Sequence, residues 1–146
     1  MSKHLKKSVL GVIAASLALS TAPAWAAPAK PTTAPESTFI PRAQLQLTGD
    51  RVNVTLINKT NANISFQAIG DTEVRTLAGR QTVTLRGLRS PVTLTLDRND
   101  SGLLLVTPKA DEKTPGTLEV TLDTTTDLGI DAPTLRVESN GSVFLY

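Results

Sequence analysis

The sequence predicts an all-β protein: a small antiparallel β-sandwich of immunoglobulin-like or cupredoxin-like topology, without a metal site. Apolar and polar residues alternate with period two through most of residues 42–146, the pattern of strands that bury one face. Gly, Pro, Asn and Asp interrupt that alternation at short intervals, as they do between the strands of a sandwich or barrel. Only TTTDLGIDAP, Thr124 to Pro133, leaves room for a helical turn.

Each strand has its own justification. Val52, Val54 and Leu56 alternate with Asn53 and Thr55, and Ile64, Phe66 and Ala68 alternate with Ser65 and Gln67. Val83 and Leu85 alternate with Thr82, Thr84 and Arg86; Val92, Leu94 and Leu96 with Thr93 and Thr95; Leu118, Val120 and Leu122 with Glu119 and Thr121. The aliphatic side chains therefore share one sheet face, and Thr or charge takes the other. The unbroken apolar run Leu103 to Val106 suits a strand covered on both faces. Breaks are expected at Gly70-Asp71, Ala78-Gly79, Gly87 before Ser90-Pro91, Asn99 to Gly102, Pro115-Gly116 and Asn140-Gly141. LRVES and SVFLY flank Asn140-Gly141, which predicts a closing hairpin with a type I′ turn.

The N-terminal residues read differently. Lys3, Lys6 and Lys7 precede an apolar run, Val9 to Leu19, that is too short for a bilayer, and Ala24-Trp25-Ala26 supplies an A-x-A site. This predicts a secretory signal peptide over residues 1–26, cleaved after Ala26, and an exported protein that is periplasmic or extracellular with no membrane span left. No Cys follows the apolar run, so lipoprotein attachment is excluded. Residues 27–41, rich in Pro, Ala and Thr, predict a flexible leader, and residues 42–146 a single domain.

Cleavage changes the chemistry on offer. It removes Lys3, Lys6 and Lys7, turning the formal net charge from +2 to −1, so the basic balance of the precursor is no argument for nucleic acid or membrane binding. It also removes His4, Trp25 and Met1, each the single residue of its kind, and the chain has no Cys. Copper, zinc and haem sites, disulfides and His-dependent nucleophilic catalysis all need those side chains, so no cofactor is expected.

What remains is weighed residue by residue. Asp97, Asn99 and Ser101 offer oxygen at alternate positions before Gly102, like the opening of a calcium loop. An EF-type loop needs a bidentate Glu at its twelfth position, and here that position is Pro108. DRNDSG is therefore read first as a hairpin turn joining Val92–Leu96 to Leu103–Val106, with Asp97, Asn99 and Ser101 as the calcium candidate. Asp71 with Glu73, and Asp97 with Asp100, are the carboxylate pairs a His-free hydrolase would use, but they fall in turns. Few aromatics remain to make a stacking platform for sugars or single strands. Asn53, Asn58, Asn63, Asn99 and Asn140 each fit N-x-S/T, a pattern that Thr- and Asn-rich strands also generate by chance.

Charge is distributed unevenly. Residues 42–98 carry a net +4 and residues 109–146 a net −4. Arg75, Arg80, Arg86 and Arg89 form the candidate interaction face, because guanidinium groups suit carboxylate and phosphate partners. Their grouping depends on the strands of Arg75 and Arg86 being hairpin neighbours. The competing reading pairs these arginines internally with the acidic half.

Ile64 to Val106, with QAIGDTEVRTLAGRQTVTLRGL and GLLLVTP, resembles small exported cyanobacterial proteins of uncharacterised function. The resemblance implies a cyanobacterial source and an envelope location, and it carries no activity. The expectation is a non-enzymatic, exported binding protein whose partner is an envelope protein or an acidic polymer. A purely structural envelope protein and a carboxylate-based hydrolase are the alternatives.

Overall fold

A computed structural model describes residues 40–146. The signal peptide, its cleavage after Ala26 and all of the leader except Ile40 and Pro41 lie outside the described residues.

Ten strands follow in chain order: β1 (Ala43–Gln44), β2 (Arg51–Asn58), β3 (Ile64–Ala68), β4 (Arg75–Leu77), β5 (Thr82–Arg89), β6 (Val92–Arg98), β7 (Leu103–Ala110), β8 (Thr117–Thr125), β9 (Thr134–Val137) and β10 (Ser142–Leu145). They form two sheets, a six-stranded one ordered β1-β10-β9-β6-β3-β4 and a four-stranded one ordered β5-β2-β8-β7. The fold is an all-β sandwich, antiparallel except where β2 runs parallel to β8. The described residues contain no helix, and the segment after Thr125 forms turns, with the Ile130 N–H donating to the Asp127 carbonyl at 3.3 Å.

The period-two rows build one core between the sheets. Val52, Val54 and Leu56 from β2 and Leu118, Val120 and Leu122 from β8 face Ile64, Phe66, Leu94, Leu96, Leu135 and Val137 from the other sheet, and all are buried. Burying each such aliphatic side chain stabilises the fold by about 1.5–3 kcal/mol relative to exposing it. The core thus supplies the cohesion of a small domain whose sequence has no Cys for disulfides.

Four local expectations need correction. Leu103 to Val106 is not covered on both faces. β7 is an edge strand in which Leu104 and Val106 are buried, while Leu103 and Leu105 are half-buried on the outer face. DRNDSG is no hairpin turn, because β6 and β7 belong to different sheets and the loop crosses between them. Gly87 does not end its strand. It lies in a bulge, where Arg86 and Gly87 of β5 stand against Asn53 of β2 between the pairs Val54–Leu85 and Val52–Leu88. The extra residue returns Leu88 to the core, and the Asn53 side-chain oxygen accepts the Gly87 N–H at 2.8 Å. The closing hairpin forms as expected, with Val137 opposite Val143. Its turn is not type I′, however: Gly141 has φ +84° while Asn140 keeps a negative φ, and the Gly141 N–H donates to the Glu138 carbonyl at 2.9 Å. That is a type I turn followed by a left-handed glycine.

Candidate interaction surface

The chain changes sheets between Leu77 and Thr82. β4 is the last strand of the six-stranded sheet and β5 the first of the other, so two free edges meet on one side of the sandwich. A buried polar cluster fixes this corner. Asn58, 1 % exposed at the end of β2, donates its amide N–H groups to the carbonyls of Ala62 (2.9 Å), Leu77 (3.3 Å) and Ala78 (3.0 Å). Its side-chain oxygen accepts from the Thr60 N–H at 2.9 Å and from the Thr60 hydroxyl at 2.7 Å. Every side-chain polar atom is satisfied, which a buried amide requires. The Thr60 carbonyl then accepts the Arg80 N–H at 3.1 Å, and the Asn61 side-chain oxygen holds the Arg80 Nε at 2.8 Å. Arg80 is itself left-handed, at φ +64°.

The four arginines of the sequence-predicted face take up this side, though not as hairpin neighbours. Arg75 lies on β4, which pairs with β3; Arg86 and Arg89 lie on β5, which pairs with β2. The rows that carry them are therefore separated by the spacing of stacked sheets, about 10 Å, rather than by the 4.8 Å or so of paired strands. All four are exposed. Arg51, opposite Arg89, adds a fifth guanidinium, with its Nη1 donating to the Gly87 carbonyl at 2.7 Å and its Nε 3.6 Å from Asp50.

Among the described residues the arginines do not pair with the acidic half. The ion pairs among the described residues are Arg51–Asp50, Arg98–Asp100 and Arg136–Glu138, each between residues close in sequence. None joins residues 42–98 to residues 109–146, and Arg75, Arg86 and Arg89 have no carboxylate partner among the described residues.

The loop that carries the calcium candidate is organised around a guanidinium. Arg98 donates through Nε and Nη2 to the two carboxylate oxygens of Asp100, at 3.0 and 2.6 Å, and through Nη1 to the Leu103 carbonyl at 3.0 Å. A Cβ at Gly102 would lie 2.5 Å from the guanidinium carbon of Arg98, so a larger residue there would displace the Arg98 side chain from this arrangement. The Asn99 side-chain oxygen accepts the Ser65 hydroxyl at 2.8 Å, Asp97 is exposed on β6 opposite Ser65, and Ser101 sits at φ +61°. The described residues contain no group of three or more His, Cys, Asp or Glu that could hold a metal ion. The Arg98 guanidinium, followed by the Gly102 N–H, holds the Asp100 carboxyl below its ordinary value. A general acid needs the opposite shift.

The opposite side of the sandwich contains a groove between β1 and β7. One cavity of about 380 Å³ is lined by Leu105, Ile130, Asp131, Leu145 and Tyr146 among others, and a second of about 470 Å³ by Leu45, Lys109, Ala110 and Glu112 among others. Arg42 and Pro108 line both. The neighbouring β7 edge is protected. The Leu104 N–H donates to Asp131 Oδ1 at 2.8 Å, the Leu104 carbonyl accepts the Ala132 N–H at 3.2 Å, and Pro108 has no N–H to offer.

Sequence reasoning singled out the arginines but missed Asn58, which reaches the distant Leu77 and Ala78 carbonyls, and Asp131, which reaches the Leu104 N–H. No described helix is long and apolar enough to cross a membrane. Comparison with known proteins returns no matching family model, no matching curated protein and no matching solved structure.

Proposed function

We propose that this chain is an exported, non-enzymatic binding protein that takes an acidic partner, an envelope protein or an acidic polymer, on its β4/β5 side. The observation that carries this reading is the set of exposed, carboxylate-free guanidinium groups of Arg75, Arg86 and Arg89 on two adjoining sheet edges. Unpaired guanidinium groups attract carboxylates and phosphates at a distance and bind them in contact.

The test is affinity purification of the tagged, exported protein from the envelope of its own host. It is run beside a variant in which Arg80, Arg86 and Arg89 are replaced together by Glu. The expected result is a partner retained by the native chain, released as salt rises and lost in the variant, while circular dichroism shows both folded. Equal retention by both chains would overturn the reading.

A further inference from the structure

Resting on that reading, we propose that the partner presents an extended acidic segment that adds as a new strand to the free edge of β5. The phase of the β2–β5 ladder shows which groups that edge offers. The Asn58 N–H donates to the Gln81 carbonyl at 2.9 Å, so Gln81, Val83 and Leu85 turn their backbone groups toward β2. Thr82, Thr84 and Arg86 turn theirs outward. Beyond the bulge the Ser90 N–H donates to the Asp50 carbonyl at 2.7 Å, which sets Leu88 toward β2 and Arg89 outward. The outward amides and carbonyls of Thr82, Thr84, Arg86 and Arg89 meet no partner among the described residues.

The molecule treats its two ends of this sheet differently. Asp131, Ala132 and Pro108 protect the β7 edge, whereas the outward backbone groups of Thr82, Thr84, Arg86 and Arg89 along β5 meet no partner among the described residues. An open edge of this length is a template for β-augmentation, in which backbone hydrogen bonds give affinity and alternate side chains give selectivity. Charge then selects the occupant. Arg86 and Arg89 are exposed along β5, and Arg80 stands at its start, so a strand carrying carboxylates on its outer face is attracted. A second copy of this chain is disfavoured, because edge-to-edge pairing brings two sets of these arginines onto one seam. Val83 is half-buried in the inner row, so the alternate positions of the occupant suit apolar side chains.

The experiment uses a blocked eight-residue peptide of alternating Val and Glu, the same peptide N-methylated at every second residue, and polyglutamate as a probe of charge alone. Binding to the exported chain is compared with binding to Thr84→Pro and Thr82→Pro, which remove outward N–H groups that β2 does not use. The expected result is that N-methylation and each folded proline variant weaken the Val-Glu peptide about tenfold or more, while polyglutamate binding is unchanged. Should a proline variant fail to fold, the N-methylated peptide decides with the native chain. Equal affinity for both peptides overturns strand addition, as does self-association through β5 in place of peptide binding. The parent reading is separately at stake in polyglutamate, which the Arg80, Arg86 and Arg89 to Glu replacement must abolish.

Discussion

Asn58 shows how far a single residue can mislead when read locally. Asn58-Lys59-Thr60 has the spacing of a glycan acceptor, yet the amide is buried and its oxygen binds both the Thr60 N–H and hydroxyl. The two-residue spacing serves this local turn, which also presents the Ala62 carbonyl, while the Leu77 and Ala78 carbonyls are brought there by tertiary structure. Alternation does place Asn58 on the inward face of its strand, and that was the available signal. Replacing Asn58 by Ala strands those carbonyls at the corner that positions Arg80. The variant is expected to lose about 3 kcal/mol, measured as a lower urea midpoint with an unchanged slope. A loss under about 0.5 kcal/mol would show that the corner does not depend on this side chain.

At the level of strands, period two told which side chains point inward and told nothing about which sheet a strand joins. Val52 to Leu56, Ile64 to Ala68 and Val92 to Leu96 fall where the alternation puts them. Neighbourhood in sequence failed at β4–β5 and β6–β7, because in each case the chain crosses between sheets within a few residues. The bulge was illegible for a related reason: Gly87 is the usual mark of a turn, and its partner Asn53 lies on another strand. An open β5 edge should be visible in amide hydrogen exchange. The amides of Val83 and Leu85, bonded to β2, should exchange slowly, while those of Thr82 and Thr84 exchange rapidly. Slow exchange at Thr84 in the isolated chain would show that something already covers this edge.

At the scale of the described domain, no ion pair joins the basic residues 42–98 to the acidic residues 109–146. The basic half supplies β4 and β5, and the ion pairs among the described residues, Arg51–Asp50 on this side included, join residues one or two positions apart. Exposed pairs of this kind contribute little to stability, so reversing the free arginines should change binding far more than folding. The candidate arginines could be named from the sequence, but their grouping on adjoining sheet edges depended on sheet membership. The central claim is that the β4/β5 side, rather than the β1/β7 groove, receives an acidic partner. The most direct measurement is an amide chemical-shift titration of the isotopically labelled chain with polyglutamate. Shifts are predicted to gather over Arg75 to Arg89 and to fade as salt approaches about 1 M, where charges are screened within about 3 Å. No shifts, or shifts gathered over Arg42–Gln46 and Leu105–Glu112, would contradict it.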